Sequence, residues 1–430
     1  GFTETIIANL AKIKDLTVIS RTSVMKYKNS NMNLKDIAIE LGVANILEGS
    51  IQLTENKIRI TAQLIEAETD KHLWAETYDR DINDIFDIQT DISKQISQTL
   101  HAKLTNSEKN KIEDKITNNT QAYDLYLKAS EIRRNPAHPQ NRNPDFIINL
   151  YQQALILDSN MAEVYAALSS TYSEMVHYGF DRSEKTIQLA KQNIEKALRL
   201  KPNNAEVRYS YGYYYYACYR DYFSALENYE KALEDAPGHA DIIALTAYAH
   251  RRMGHKKETI EGLKKAAILD PNNVNTHHEL FKTYEGHRMY NKLDYKYYFD
   301  KGFQLLPDAA FIYQNLANHF FYFEGNTKNA RKIINKGQQL FPKHDYSMFD
   351  FDFYDKKYEG YEEDIKNNFP EILYGTFWIR PKTNPLAWIN AVKGNEKSAK
   401  KYAQQSITTL EEIEKEFYND PRFYSEIAYA

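Results

Sequence analysis

A chain of 430 residues exceeds one ordinary hydrophobic core, so it should hold two or more folded parts or a stack of repeats that each pack on their neighbours. Lys and Arg number 55 against 59 Asp and Glu, a net charge near −4, which argues against a surface built for nucleic acid. The single cysteine, Cys218, excludes an internal disulfide framework and a cysteine-rich zinc site, and no apolar run is long enough to span a bilayer.

From the amino end, apolar periodicity predicts helices over Thr3–Ile13, Asn33–Leu41 and Asp84–Leu104. Leu16–Ser20, between the first two, is a short β-branched run. Ile46–Leu53, Lys57–Ala67 and Lys71–Tyr78 then alternate apolar and polar residues, with turn signals at Thr54-Glu55-Asn56 and Glu68-Thr69-Asp70. The expectation is a small α/β domain over 1–105 containing an antiparallel meander. Its start, GFTETI, lacks the basic and apolar regions of a signal peptide. Arg21, Trp74, Tyr78, Asp79, Arg80 and Asp81 are the domain's most distinctive polar and aromatic residues. The last four follow a strand and precede a helix whose amino end favours acidic side chains. They read either as a helix cap with an Arg–carboxylate pair, or as an interdomain corner that contacts the repeats and transmits their state.

The segments LTVISRTSVMKY (16–27), DIAIELGVANILEGSI (36–51), IRITAQLIEAET (58–69) and HLWAETYDRDINDIFDIQTDI (72–92) together resemble the TolB amino-terminal/FlgO-like domain of bacterial regulatory proteins. That resemblance implies an apolar strand and loop ahead of the first helix, so the domain is expected to be clipped at its amino end. It also implies an effector outside these residues, either a winged helix-turn-helix or a nucleotide cyclase. The compartment, bacterial cytoplasm or the periplasmic side of the inner membrane, then depends on sequence upstream of Gly1.

Residues 106–120 (NSEKNKIEDKITNNT) show no apolar face and are predicted to be a linker or frayed helix. Helical pairs follow over 121–343. Small residues recur before a proline in Ala190-x6-Ala197-x4-Pro202, Ala225-x6-Ala232-x4-Pro237 and Ala266-x4-Pro271, and Ala240 and Val274, which open successive copies, lie 34 residues apart. A fixed step of that length built from paired helices is the signature of tetratricopeptide repeats. The fold class expected is therefore a small α/β domain followed by an all-α superhelical solenoid of about six pairs. The first pair is Gln121–Arg134 with Phe146–Leu157; later pairs open at Ala162, Ala205, Ala240, Val274 and Ala310, and the second holds an insertion near His177–Arg182. Residues 344–430 read as a degenerate helical region with a pair at Leu386–Val392 and Ser398–Thr409. The final FYSEIAYA begins another first helix with no partner, so truncation is expected there as well.

Within each repeat, large, small and aromatic residues are expected to lock helix to helix: Leu168, Ser169 and Tyr172; Tyr211, Gly212 and Tyr215; Leu316, Ala317 and Phe320. Ligand contacts in tetratricopeptide proteins come mostly from the inner face, five and nine residues into each first helix. Those positions are Ala166 and Ser170, Tyr209 and Tyr213, Ala244 and Tyr248, His278 and Lys282, Gln314 and Asn318, with Tyr216, Arg251, Arg252 and Phe321 on neighbouring turns. Tyr209, Tyr213, Tyr216, Tyr248, Arg251, Arg252, His278 and Lys282 are thus expected to line a groove, aromatic at one end and basic at the other. It suits a protein or peptide ligand that is acidic with apolar anchors, because tyrosine offers large contact area and arginine pairs carboxylates in a bidentate way. The alternative is that several are simply solvated helix faces.

His277, His278 and His287 cluster in sequence, as do His250 and His255, but none has metal-site spacing and no HExxH occurs. No phosphate loop, Gly-x-Ser-x-Gly elbow or Cys–His nucleophile pair is present. No catalytic residue, metal or cofactor is therefore assigned. The leading reading is the non-catalytic interaction and sensor region of a bacterial signalling or transcriptional regulator. It has no direct nucleic-acid contact and no membrane span in these residues, and homo-oligomerisation is left open. A stand-alone envelope or periplasmic scaffold, or a small-molecule or glycan binder stacking on the Tyr209–Tyr222 run, are the alternatives.

Overall fold

Strict alternation at Ile58, Ile60, Ala62 and Leu64 gives one strand a fully buried face, and that strand becomes the centre of a three-stranded antiparallel meander. The computed structural model describes residues 2–28, 30–54, 57–81, 84–134, 140–141, 143–286, 292–305, 310–322, 324–342, 355, 358–374 and 379–417. It divides into two units, Gly1–Leu305 and Leu306–Ala430.

The first unit opens with α1 (Phe2–Ala11), α2 (Arg21–Met25), α3 (Leu34–Leu41), β1 (Asn45–Leu53), β2 (Lys57–Glu66), β3 (Lys71–Asp81) and α4 (Ile85–Thr99). Strand β2 pairs with both neighbours, Ile51 lying opposite Ile60 and Tyr78 opposite Ile60 on the other side. Ile6, Leu10 and Ile13 from the α1 segment and Ile88, Ile92 and Ile96 from α4 bury the apolar face of β2, the helical residues recurring every three or four positions. The opposite face is polar: Arg59 Nε donates to Asp79 Oδ2 at 3.1 Å and the Thr61 and Thr77 hydroxyls meet at 3.3 Å. The run Leu16–Ser20 does not join the sheet. It crosses as extended chain to the repeats, where the Ser20 amide donates to the Leu269 carbonyl at 2.8 Å.

The stretch expected as a linker is more ordered than its composition implies. Helix α5 (Asn106–Glu113) begins with a reciprocal Thr105–Glu108 capping box, and its Ile112 is buried in the α/β core. Glu108 also accepts from the Lys14 amide at 2.9 Å. One apolar side chain and a satisfied cap hold a segment that shows no stripe.

Hairpins then follow: α6 (Thr120–Arg134) with α7 (Pro144–Leu157), α8 (Ala162–Tyr178) with α9 (Glu184–Leu200), α10 (Ala205–Tyr214) with α11 (Tyr222–Asp235), α12 (Ala240–Arg252) with α13 (Lys256–Leu269), and α14 (Val274–Gly286) with α15 (Lys292–Leu305). Helices α9, α11 and α13 each stop just short of Pro202, Pro237 and Pro271, because the residue before proline is pushed out of the helical region. Ala190, Ala197, Ala225, Ala232 and Ala266 are all buried, as the small-residue pattern requires. Gly212 is the tightest such point: a Cβ there would lie 2.6 Å from the Tyr229 ring and 2.9 Å from the Ala225 carbonyl oxygen. Most of the extra length of the second hairpin lies in its helices, the rest in the turn after Tyr178. Both α8 and α9 run 17 residues against 13 and 14 for α12 and α13, so each helix is about a turn longer. Helix α10 continues into a π-helical turn, Tyr215–Tyr219, which ends at Arg220 with φ +54°.

The second unit holds the hairpin α16 (Ala310–Tyr322) and α17 (Thr327–Leu340), then α18 (Tyr358–Asn368), a ribbon of β4 (Ile372–Tyr374) with β5 (Ile379–Pro381), α19 (Thr383–Val392) and α20 (Glu396–Phe417). Buried Ala317, Ala330 and Ile334 pack the hairpin, while Ile365, Leu386 and Ile389 form a separate cluster. Helices α19 and α20 cover the expected Leu386–Val392 and Ser398–Thr409, α19 starting three residues earlier and α20 extending past both ends; the ribbon carries no alternation long enough to predict. FYSEIAYA and most of Tyr346–Tyr361 lie outside the described residues.

Candidate functional site

The first helices of four hairpins carry several of the expected groove residues of the first unit, in two sets of contacts, Tyr213–Tyr216–Arg252 and Tyr248–Arg251–Glu279–Lys282. At the aromatic end, Tyr213 and Tyr216 on the α10 stretch stack with ring centroids 6.3 Å apart, and His177 from α8 lies 6.3 Å and 5.9 Å from them. Burial pushes the Tyr213 hydroxyl well above its ordinary value, so it remains a proton donor across the physiological range. Tyr209 packs on Tyr229 at 6.5 Å. Next to His177, Tyr178 and Phe180 are 67% and 61% exposed, with rings 6.5 Å apart, and they form an aromatic lip at the end of α8.

Toward α14 the character changes. Arg252 Nε donates to the Tyr216 hydroxyl at 3.2 Å, and the Arg251 guanidinium lies 5.3 Å from the Tyr248 ring centroid. Arg251 is also ion-paired to Glu279, which Lys282 approaches to 3.4 Å. Burial pushes the Glu279 carboxyl up, but Arg251 and Lys282 outweigh it and hold it below its ordinary value. His278 adds a smaller push in the same direction. The basic end is therefore partly neutralised from within. Arg251 does not wait for a partner's carboxylate, as its sequence position implied, because Glu279 on the next first helix reaches it. Glu279 sits beside His278 in sequence, and an acidic residue in a basic stripe was the available signal.

The tyrosine run is not a continuous stacking surface. Tyr213, Tyr214 and Tyr216 are buried, Tyr211 and Tyr215 bond each other at 2.8 Å, and Tyr214 donates to Tyr219 at 3.0 Å. Helical geometry turns consecutive tyrosines to different faces. Gln314 and Asn318 belong to the second unit, where Gln314 Nε2 donates to Asn318 Oδ1 at 3.0 Å.

Of the interdomain set, Arg21 lies at the junction between the α/β domain and the repeats, 3.4 Å from Glu131 of α6 and 3.9 Å from Glu4. Tyr78 and Trp74 pack in the α/β core, and Asp79 pairs with Arg59 of its own sheet. The Arg–carboxylate pair is thus made by Arg59, not Arg80. Asp84 stands at the α4 cap without a side-chain bond to it. Alternation along β3 explains this placement, since Asp79 projects onto the polar sheet face shared with Arg59.

The junction itself runs along the turns between hairpins. Helix carboxyl ends leave carbonyls without intrahelical partners, and the amino-terminal segment supplies donors to them. Asn119 Nδ2 reaches the Leu157 carbonyl at 3.4 Å, Lys111 Nζ the Glu234 carbonyl at 3.2 Å, and the Ser20 amide that of Leu269. Turn side chains reinforce this row. Thr117 donates to Asp158 at 2.5 Å, Lys201 pairs with Asp114 at 2.8 Å, Lys111 with Asp235 at 3.0 Å, and buried Ser23 donates to Asp270 at 2.5 Å. The Asn272 amide in turn donates to Ser23 Oγ at 2.8 Å, and that of Gly238 to the Ala11 carbonyl at 3.1 Å. Phe86 on α4 meets Tyr123 on α6 edge-on at 5.0 Å. None of these turn residues has a local sequence pattern that announces a docking role.

Among the described residues, no group of three His, Cys, Asp or Glu side chains converges on a point, and no helix is long and apolar enough to cross a membrane. His287 lies outside them.

No family model matches the chain. Over 171 residues it is 36% identical to the protein named "Putative adenylate cyclase 3" of Rhizobium meliloti, a match covering 39% of this chain and 28% of that protein. The chain thus spans just over a quarter of that relative's length. Among solved structures, PilW, described as a type IV pilus biogenesis factor, aligns at 18% identity with a TM-score of 0.43, covering 53% of this chain and 96% of its own. YrrB, described as a TPR protein with an unusual peptide-binding site, aligns at 18% identity with a TM-score of 0.34, covering 48% and 97%.

Proposed function

We propose that this chain is a non-catalytic interaction and sensor region of a bacterial signalling protein, and that its repeats take a protein or peptide partner along the first helices of the hairpins. The observation that carries the reading is the continuous strip from the exposed Tyr178–Phe180 lip, through Tyr213 and Tyr216, to Arg251, Arg252 and Lys282. Arg251, Arg252 and Lys282 gather on neighbouring first helices there, with Glu279 between Arg251 and Lys282, and a partner bearing acidic residues beside apolar anchors suits that character. Likeness to a protein named as an adenylate cyclase supports placing the region beside a nucleotide-cyclase effector, whose chemistry would lie in the portion this chain does not span. The α/β domain, held along the turns, is the element through which partner occupancy reaches that effector.

Selection of a random peptide library on the full chain tests the partner site. Peptides with aromatic or aliphatic anchors next to Asp or Glu should be enriched, and calorimetry should show their affinity falling roughly tenfold or more for the Arg251→Ala/Arg252→Ala double variant. Tyr178→Ser/Phe180→Ser should weaken them similarly. Peptides that bind all three proteins equally would remove the strip as the site. Reading the native gene upstream of Gly1 tests the effector: a scaffold without a cyclase or DNA-binding domain would sink the signalling half of the reading.

A further inference from the structure

Between the α/β domain and the repeats, within the first unit, lies a cavity of about 160 Å³. Helices α1 and α4 form one side; α6, the amino ends of α8 and α10, and the Asp235–His239 turn form the other. Charges of both signs line its walls. Arg134 bonds Glu4 at 3.3 Å and Glu206 at 3.0 Å, while Lys12 donates to the Lys111 carbonyl at 2.7 Å and to Asn9 at 3.3 Å. Asp235 holds Lys111.

Unmatched groups remain beside them. Gln89, only 1% exposed, has neither its carboxamide oxygen nor its nitrogen hydrogen-bonded. Glu163, 3% exposed, engages Lys201 and Asn204 through Oε1 and leaves Oε2 without a partner. Buried polar atoms are rarely left unpaired, and in a roomy, polar-walled cavity they mark a place for water or ligand. Phe86, Tyr123 and Tyr126 supply an apolar wall beside them. An anion there would lie against the Glu163 carboxylate and a cation against Lys12 and Arg134, so a neutral ligand suits the walls better. A neutral primary amide has one acceptor and two donor hydrogens, which answers an orphan carboxamide and one orphan carboxylate oxygen.

We propose that this cavity binds a small neutral primary amide, its carbonyl accepting from Gln89 Nε2, one N–H donating to Gln89 Oε1 and the other to Glu163 Oε2. Because both walls contribute, occupancy strengthens the hold of the α/β domain on the repeats. The site is separate from the groove and does not depend on the partner-binding reading.

Calorimetry on the full 430-residue chain tests it, with acetamide and nicotinamide as probes and acetate and nicotinate as charged controls. Saturable one-to-one binding of either amide is expected, weakened roughly tenfold or more for its acid counterpart and in Gln89→Leu. Ala8→Leu, which fills the cavity from an exposed position on α1, should weaken it equally and keeps the test valid if Gln89→Leu fails to fold. No saturable heat with either amide overturns the proposal and leaves the cavity to ordered water. Equal binding by the wild type and the folded variants overturns it too, by placing the probe elsewhere.

Discussion

The turns between hairpins and the inner faces of the first helices belong to the same repeats, yet they satisfy their polar groups in opposite ways. Along the inner face the repeats supply partners to one another: Arg252 meets Tyr216, and Arg251 meets Glu279. Along the turns, carbonyls and carboxylates of Leu157, Asp158, Glu234, Asp235, Leu269 and Asp270 are met by residues of the first 119 positions. Stacking supplies neighbours to the inner face automatically, because every repeat touches the next. Helix ends have no such neighbour. The α/β domain and the α5 segment therefore complete the repeats at their turns and leave the inner face to the repeats themselves.

The sharpest way to break the repeats without touching the turns is Gly212→Ala. Its new methyl group meets the Tyr229 ring and the Ala225 carbonyl of α11, and the loss in urea unfolding should be about 3 kcal/mol. A loss below about 1 kcal/mol would mean that α10 and α11 shift apart easily and the repeats are less tightly built than described. Asp270→Ala breaks the turn side instead. It strands the buried Ser23 hydroxyl and should cost about 2 kcal/mol, with hydrogen exchange accelerated at Ser20 and Ser23 more than along α14. Uniform acceleration across both regions would contradict the separation.

Acid titration should give the smallest effect and the clearest sign. Burial raises the Asp270 carboxyl above its ordinary 3.8, against hydrogen bonds from Ser20, Ser23 and Asn273. A raised folded value costs stability at neutral pH, and that cost is relieved as pH falls through it. Glu279 is held below its ordinary 4.5, so its contribution is complete above 4.5 and is lost as pH falls through the depressed folded value. Between neutral pH and pH about 3, the wild type should therefore gain stability relative to Asp270→Asn and lose it relative to Glu279→Gln. Slopes of the same sign in denaturant midpoints would show that one of the two environments is misread.

Local patterns made much of this legible. The meander follows from alternation at Ile58–Leu64 and the hairpin stops from Pro202, Pro237 and Pro271. Gly212 was visible as the small residue in a large–small–aromatic set. Of the residues expected to line a groove, spacing placed Tyr213, Tyr216, Tyr248 and Arg252 on neighbouring first helices, where Arg252 meets Tyr216. It did not foresee that Glu279 would take Arg251, nor that His177 would join the aromatic end, since both contacts cross between repeats. At the corner Tyr78–Asp81, side-chain alternation pairs Asp79 with Arg59 of the same sheet, a partner that the local pattern did not name.

By itself, the amino-acid sequence determined the meander, most of the helices and the repeat step, all of which rest on residues fewer than about 40 positions apart and on backbone preferences that proline, alanine and alternation state locally. Only the tertiary structure decided that Ser23 would meet Asp270, that Lys111 would meet Asp235, and that Gln89 would be enclosed without a partner. Such contacts join single polar residues separated by more than a hundred positions. No periodicity encodes them; they arise when helix ends that the repeat leaves unsatisfied meet a domain that can satisfy them.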